Sequence, residues 1–340
     1  IKTKIAGKVF SASSGSVAVS QINSARTAVD TSSTRPVRVE LWDATGETGT
    51  ADSFGCYSTS KPTPFYTQNI AALASGRFVI DPTVAEAYQR VRVRMTDTGT
   101  GGQNGRYGCS TDLFAIRPAY LDVSAAAARD TDWRTAGVGR ALTSSNTSAA
   151  ANASLTANTD RVHAAGRPFS ISGLVAKNGA ATPVTTANYD GQPTLIPGSL
   201  ILPDPNVCIT CAPGAFSAGS WVASSGSLST TTASYSEAGS FSWEVEDRSF
   251  ASVDASDSTK SQRYILSNQV ISTGRFVPDS FQLTLNSPTL QTFGASDAAC
   301  STTAPAPKRS FTYLGQPFGY ATAPSVGVAA LNSGGSSLVN

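Results

Sequence analysis

The chain alternates apolar and polar residues in many short segments, which is the pattern of strands that bury one face. Residues 37–41 read Val-Arg-Val-Glu-Leu, and residues 91–95 read Val-Arg-Val-Arg-Met. Residues 241–246 and 281–285 show the same alternation. Clusters of Gly, Asn, Asp and Pro, which favour turns, separate these segments. The pattern predicts an all-β chain.

Helical signals are few. Residues 83–89 favour one helical turn at most, and the alanine-rich residues 124–129 are helical by propensity but too short to be stable alone. Residues 143–159 are dominated by Ser, Thr, Asn and Ala, so we expect a long loop there.

A short phrase with Gly at its first position and Phe at its fourth occurs three times, beginning at Gly7, Gly166 and Gly315. The copies are about 150 residues apart, an ordinary domain size. We expect each to open the second strand of a β-sandwich. Prolines 118 and 278 each precede another alternating segment and mark junctions between modules.

These landmarks predict tandem immunoglobulin-like β-sandwiches with an incomplete third module. Residues 1–117 form a sandwich that lacks its first strand, and residues 118–273 form a second sandwich with the long Ser/Thr-rich loop. Residues 274–340 supply the opening strands of a third. Residues 85–88 also correspond to residues 235–240, where Tyr235 is expected to anchor a corner by hydrogen bonding back to the chain.

Composition and charge argue against nucleic-acid binding and a membrane span. Only 14% of the 340 residues are charged, against about 25% in typical soluble chains. A net charge of +2 offers no basic footprint for nucleic acid. No apolar run approaches the roughly 20 residues that cross a bilayer, so no membrane span is expected. The sequence begins at Ile1 without an initiator Met, so we expect any export signal to be removed or to lie outside this sequence.

The five cysteines favour export to an oxidising compartment. We expect disulfides between Cys56 and Cys109 and between Cys208 and Cys211, with no assigned partner for Cys300. The CxxC spacing of Cys208 and Cys211 also suits zinc, but no second pair completes four ligands. The pair lies in a Pro-rich loop rather than at a helix N-terminus, which argues against a redox site.

Candidate catalytic groups are scattered. His163 is the only histidine, and no nucleophile motif accompanies it. Glu244 and Glu246 share one strand face instead of facing each other across a cleft. The segment with Asp254 and Asp257 lacks EF-hand spacing, and its calcium binding stays open. We therefore predict no catalytic residue, no metal site and no cofactor.

Two residue types offer weak ligand-binding candidates. Exposed coplanar aromatic rings bind sugars, so the tryptophans are candidates unless they are buried. Arg90, Arg92 and Arg94 form a basic stripe that suits an acidic glycan or a partner's carboxylates, although a solvated strand face is the more ordinary explanation. The tryptophan candidates are Trp42, Trp133 and Trp221, and burial of all four tryptophans, Trp243 included, would remove the basis for sugar binding.

Several phrases resemble those of a known family. Residues 109–118 read Cys-Ser-Thr-Asp-Leu-Phe-Ala-Ile-Arg-Pro, and residues 188–193 read Asn-Tyr-Asp-Gly-Gln-Pro. With residues 235–241, 274–279 and 311–318, they resemble, in order, an uncharacterised bacterial β-domain family found in the pilus biogenesis protein MshQ and related large surface proteins. The resemblance implies an exported surface protein associated with type IV pili, without catalytic residues to carry over.

These observations favour a non-enzymatic extracellular structural or adhesin segment, secreted to the bacterial cell surface or a pilus. The alternatives are a carbohydrate-binding module of a larger secreted protein and a hydrolase with a carboxylate pocket around His163. The expected partners are neighbouring copies or other pilus or surface subunits, joined by strand pairing, and a glycan. Strand pairing requires that Leu283, Leu285, Tyr313 and Phe318 do not pack only against the second sandwich of their own chain.

Overall fold

The structure is a computed structural model of the 340-residue chain. It describes residues 1–23, 25, 27–61, 63–101, 105–130, 140–142, 163–200, 212–290, 314–315 and 319–339. Short strands dominate these residues, which confirms the all-β prediction. No helix within them is long and apolar enough to cross a membrane.

The N-terminal region, residues 1–117, is built around one mainly antiparallel sheet. Its strands follow the order β1-β10-β8-β3-β6, with β9 paired to β8 and only β1 and β10 parallel. Separate two-stranded pairs join β2 to β7 and β4 to β5. The strands are β1 (Lys4–Ile5), β2 (Val17–Ser20), β3 (Val37–Asp43), β4 (Glu47–Thr48), β5 (Ser58–Thr59), β6 (Tyr66–Ile70), β7 (Arg77–Ile80), β8 (Tyr88–Asp97), β9 (Tyr107–Cys109) and β10 (Phe114–Arg117).

The described residues of the middle region, which spans residues 118–277, form three sheets. One has the order β13-β12-β15-β19-β17, with β11 on β15 and β18 on β19; the others are β14-β23-β20 and β16-β21-β22. The strands are β11 (Tyr120–Asp122), β12 (Ala127–Asp130), β13 (Arg140–Ala141), β14 (His163–Ala164), β15 (Phe169–Lys177), β16 (Thr194–Leu195), β17 (Phe216–Ser217), β18 (Val222–Ser224), β19 (Ser227–Tyr235), β20 (Gly239–Trp243), β21 (Val245–Asp247), β22 (Ile265–Leu266) and β23 (Ile271–Val277).

The buried apolar residues form two clusters, one in each region, except that Ala87 of the N-terminal region packs in the middle cluster. Val37, Val39 and Leu41 of β3 pack with Phe10 and Phe114 in the N-terminal core. An aromatic cluster fills the middle core, with fully buried rings of Phe169, Tyr235, Phe241 and Trp243. The Tyr235 hydroxyl accepts a hydrogen bond from the Gly214 amide at 3.1 Å, the anchoring role predicted for it.

The C-terminal region, residues 278–340, contains β24 (Ser280–Leu285), β25 (Thr289–Leu290), β26 (Tyr320–Thr322) and β27 (Val326–Leu331). β24 pairs antiparallel with β27, and β25 with β26. Every residue of β24 is exposed. We call the β24–β27 pair the C-terminal ribbon.

Within the described residues, helical structure is limited to short pieces. The α-helices are α1 (Phe10–Ser13) and α2 (Lys260–Arg263), and the 3-10 turns are Ala44–Gly46 and Ser252–Asp254. The prediction that the Gly7 phrase opens a strand is wrong, because Ser11 bonds Asp81 through both its amide and its hydroxyl and the chain turns as α1. Residues 124–129 are not helical either, since β12 pairs there with β15 and Ala128 enters the core.

Candidate functional site

A pocket of about 170 Å³ lies on the outer face of the N-terminal sheet. It is formed where β3 and β8 meet the β4–β5 hairpin, and the Cys56–Cys109 disulfide lies in its wall. Its lining includes Trp42, Asp43, Tyr57, Thr59, Arg92 and Arg94. Three of the predicted ligand-binding residues, Trp42, Arg92 and Arg94, therefore lie together.

Arg92 is a structural residue of this pocket. It is buried, which corrects the expectation of a solvated face. Its Nε and Nη2 donate to the two Glu47 carboxylate oxygens at 2.5 and 2.9 Å, and its Nη1 donates to the Ser110 carbonyl. The Tyr57 ring lies 4.8 Å from its guanidinium carbon. Because its donors are engaged on three sides, Arg92 orders the β4–β5 hairpin and offers little to a ligand.

Arg94 is partly exposed in the pocket lining. Its Nε is buried without a hydrogen-bond partner, and Glu40 Oε2 lies 4.0 Å away, too far for a hydrogen bond. The guanidinium stacks 4.4 Å from the Tyr107 ring and 5.7 Å from the Trp42 ring. A partly exposed guanidinium between two rings can bind a carboxylate while a flat apolar surface contacts Trp42.

The loop before β5 holds Tyr107 in place. Asp52 accepts hydrogen bonds from the amides of Phe54 and Cys56 and from the Tyr107 hydroxyl at 2.9 Å. The Cys56 amide, with the other donors, lowers the pKa of Asp52, and the bond to Asp52 raises the pKa of Tyr107. The predicted Cys56–Cys109 disulfide is present and ties this loop to β9.

The other predicted aromatic candidates do not reach the pocket. Trp221 is buried and its Nε1 donates to the Pro193 carbonyl, while Trp243 is buried and bonds Thr273 Oγ1. Both are core residues, so the expectation for Trp221 is wrong; its ring fills apolar space in the middle region. Arg90 is exposed on β8 and does not line the pocket. Trp133, Cys208, Cys211 and Cys300 lie outside the described residues.

The candidate catalytic residues His163 and Glu246 are buried among residues that hold the fold together. His163 is buried on β14, with Nε2 3.2 Å from the Arg167 carbonyl and its ring against Phe169 and Phe276. Glu246 is buried, and its Oε1 accepts a hydrogen bond from Arg248 Nε at 2.6 Å. No group of three or more metal-binding side chains occurs in the described part of the chain.

A second feature, which the sequence did not predict, joins consecutive regions. The first junction links the N-terminal and middle regions, and the second links the middle and C-terminal regions. At the first junction the Gly179 amide donates to the Ala6 carbonyl at 2.7 Å, and at the second the Ser333 amide donates to the Ala165 carbonyl at 2.9 Å. The next residues, Gly7 and Gly166, have φ near +80° (77° and 81°). A side chain at either would collide with the docked turn, at 2.7 Å in both cases. Glycine is therefore required at both positions.

At each junction an asparagine side chain bonds both its own turn and the preceding region. Asn178 Nδ2 donates to the Ala85 carbonyl at 3.3 Å, and Asn332 Nδ2 donates to the Ser236 carbonyl at 3.2 Å. The Oδ1 of each accepts amide hydrogens of its own turn, including those of Val184 and Ser336 at 3.0 Å. Each asparagine thus shapes a turn and fixes it to the preceding region. In the sequence, Lys177-Asn178-Gly179 is one of the Gly and Asn clusters that favour turns, and nothing in it predicts a contact between regions.

Comparison with known proteins gives one family match. Residues 237–340 match the family described as DUF6701, third domain. The matched segment contains Asn332 and, at its first residue, Glu237, whose Oε2 accepts from the Val339 amide at 2.9 Å. No match is found among the curated proteins or the solved structures.

Proposed function

We propose that this chain is a non-enzymatic structural segment of an exported bacterial surface protein, in which β-sandwich modules of immunoglobulin-like type are joined end to end. The observation that carries the proposal is the repeated junction. Two successive contacts between regions use the same backbone bond, the same left-handed glycine and the same asparagine bridge. A stack held by one repeated contact keeps neighbouring modules in a fixed orientation, which suits a stalk.

The cellular setting rests on two further arguments. A disulfide persists where the compartment is oxidising, which supports export. The resemblance of five phrases to MshQ-like proteins supports placement at the cell surface or on a type IV pilus as a structural or adhesin segment. Antibodies against this chain should label intact cells, and labelling only after lysis would contradict the surface assignment.

The junction can be tested at Asn178. Asn178→Asp keeps an oxygen for the Val184 amide but removes the donor to the Ala85 carbonyl and places negative charge against it. We expect the Gly179 amide, bonded to Ala6 across the junction, to exchange with solvent at least tenfold faster, since a loss of about 1.4 kcal/mol suffices. Small-angle scattering should show a broader range of molecular dimensions.

Asn69→Asp is the matched control, because Asn69 is exposed on β6 far from the junction in sequence. It should leave both measurements unchanged. If Asn178→Asp also leaves Gly179 exchange and the scattering profile unchanged, the asparagine bridge does not fix the modules and the stalk proposal loses its support.

The pocket favours a second candidate function, binding of a sugar that carries a carboxylate. Its support is the partly exposed Arg94 guanidinium in the pocket lining, 5.7 Å from the half-buried ring of Trp42. Glucuronate oligosaccharides should bind and neutral glucose oligosaccharides should not. Arg94→Ala should abolish binding, while Arg90→Ala, in the same stripe but outside the pocket, should preserve it. Equal binding of acidic and neutral sugars would reject this role for Arg94.

A further inference from the structure

The N-terminal region carries a turn that is built like the two turns that dock at the junctions. Residues 23–28, which we call the Asn23 turn, lie shortly after β2. The Asn23 amide donates to the Ala28 carbonyl at 2.9 Å, and Asn23 Oδ1 accepts from the Thr27 amide at 3.0 Å. Asparagine favours such turns because its side chain can bond the backbone a few residues on.

Both junction turns are closed by the same pair of bonds. The Asn178 amide donates to the Val184 carbonyl at 3.0 Å, and the Val184 amide returns to Asn178 Oδ1 at 3.0 Å. The Asn332 amide donates to the Ser336 carbonyl at 2.9 Å, and the Ser336 amide returns to Asn332 Oδ1 at 3.0 Å. The junction turns contain seven and five residues, so a turn of six residues such as the Asn23 turn lies within the range that docks.

The chain enters and leaves the three turns in the same way. An antiparallel bridge joins the residue before each asparagine to the residue after its turn. The bridges are Ile22–Val29, Lys177–Thr185 and Leu331–Ser337. Since the pairing at the base of the turn is the same in all three regions, each asparagine occupies the same place in its region.

The neighbouring strand gives a second match between the N-terminal and middle regions. The Gln21 amide donates to the Gly76 carbonyl at 2.8 Å, and the Ala176 amide donates to the Gly226 carbonyl at 2.8 Å. Both glycines have positive φ, 69° and 76°, and each follows a serine with φ of 49° or 48°. These two serines are the only non-glycine residues with positive φ in the described part of the chain. Because that conformation is uncommon, its recurrence beside both turns is a specific match.

The bond that differs is the one that crosses a junction. Asn178 and Asn332 donate through Nδ2 to carbonyls of the preceding region, whereas Asn23 Nδ2 donates to Thr27 Oγ1 of its own turn at 3.2 Å. Thr27 and Ala28 are exposed. Exchanging a bond to an exposed hydroxyl for a bond to a carbonyl changes the free energy little, because water already competes for that hydroxyl. The Asn23 side chain can therefore turn to a carbonyl that docks beside it.

We propose that the Asn23 turn is a docking surface for a β module of the same type, whose acceptor is a carbonyl followed by a left-handed glycine, as at both junctions. The inference rests on the proposed stack of modules, because it takes the repeated junction as the contact between them. Ser24 follows Asn23 as Ser333 follows Asn332, and the Ser333 amide makes the bond to the Ala165 carbonyl, so serine suits this position. Recognition uses backbone groups and a glycine, and it needs no charged residue.

A graft tests this docking on an acceptor that the chain itself supplies. In the full chain, residues 178–184 are replaced by the sequence of the Asn23 turn, Asn-Ser-Ala-Arg-Thr-Ala, so that the graft faces the Ala6 carbonyl and Gly7. We expect the amide of the grafted serine to be protected from hydrogen exchange like the native Gly179 amide. The same graft with Asp in place of its Asn should exchange at least about tenfold faster, because it lacks the donor to the Ala85 carbonyl.

The second junction offers an independent site for the graft. Residues 332–336 are replaced by the same six residues, and the reporter is the serine amide at the place of Ser333. The grafted serine amide should again be protected, and the Asp version should again exchange faster. Gly166→Ala should remove the protection, because a Cβ there would lie 2.7 Å from Ser333 Oγ and the graft carries serine at that position.

The proposal is overturned if neither graft protects its serine amide better than the matching Asp version, and this includes the outcome in which both grafts unfold. Protection that survives Gly166→Ala would overturn the assignment of glycine as the acceptor. Measuring Asn178→Asp in the same series separates this inference from the proposed stack. If Asn178→Asp speeds Gly179 exchange while both grafts fail, the junction stands and the Asn23 turn is not a docking surface.

Discussion

Asp254 offers a quantitative test of the contact between the N-terminal and middle regions. It lies at the end of the Ser252–Asp254 turn, fully buried against the N-terminal sheet. Its Oδ2 accepts from Thr3 Oγ1 at 2.5 Å and from the Ala115 amide at 3.0 Å, while its Oδ1 has no partner in the described residues. Burial outweighs these bonds and raises the pKa of Asp254 from 3.8 to about 6.

The direction of the pH effect follows from this raised pKa. The folded chain binds the Asp254 proton more tightly than the unfolded chain, so the resulting stabilisation is complete below pH 3.8 and is lost as the pH rises to about 6. A shift of two pKa units corresponds to at most about 3 kcal/mol, and we halve it for residual solvent screening. The expected effect is about 1–2 kcal/mol.

Asp254→Asn removes the ionisation and keeps one acceptor oxygen. We expect the difference in unfolding free energy between the variant and the native chain to increase by about 1–2 kcal/mol, in favour of the variant, between pH 4 and pH 7. Urea denaturation at several pH values measures this difference. Asp190→Asn, at an exposed carboxylate that accepts from Gln89, is the control and should run parallel to the native chain.

A direct titration guards against misreading the denaturation curves, since regions of one chain can unfold separately. The carboxyl carbon shift of Asp254 should titrate near pH 6 in the folded chain. A midpoint at or below pH 4, or parallel stability curves for Asp254→Asn and the native chain, would refute the reasoning.

Two further predictions concern covalent and steric constraints. Replacing Cys56 and Cys109 by Ser opens a loop whose ends are 53 residues apart, and loop entropy predicts a loss of about 4 kcal/mol in unfolding free energy. Urea denaturation with and without reductant checks this, and a loss below about 1 kcal/mol contradicts it. Gly191→Ala would place Cβ 2.0 Å from Asp247 Oδ2, so the melting temperature should fall. Gly108→Ala, whose Cβ would lie 3.8 Å from its neighbour, should melt normally; equal melting of the two variants would dismiss the steric argument.

Period-two alternation predicted the strands well because it reports which face a side chain occupies. Residues 37–41 lie in β3, residues 91–95 in β8 and residues 281–285 in β24. Alternation cannot report what later covers the other face. Arg92 is buried because the β4–β5 hairpin folds back over β8, where Glu47 binds Arg92 and the Cys56–Cys109 disulfide ties the hairpin to β9. No local pattern in the Arg stripe contains that information.

The sequence showed the repeated Gly-containing phrase, but it did not show that Asn178 and Asn332 bridge the junctions. Asn178 follows Pro118 by 60 positions and Asn332 follows Pro278 by 54, so no fixed spacing aligns them. Only the pairing of β11 with β15 and of β24 with β27 brings the two asparagines into equivalent places. The tryptophans could not be told apart from the sequence, because the same residue type packs in the core at Trp221 and lines the pocket at Trp42.

The residues that form the second junction are different from the apolar residues exposed on β24. Docking at the second junction uses backbone groups, Gly166 and Asn332, and none of these needs an apolar side chain on β24. Phe281, Leu283 and Leu285 could therefore be polar without loss of the junction, yet they alternate as regularly as the buried residues of β3. Exposed apolar side chains lower solubility and add no stability of their own. In the middle region, β11 pairs with β15 as β24 pairs with β27, and Leu121 and Val123, at the positions of Phe281 and Leu283, are buried in the core.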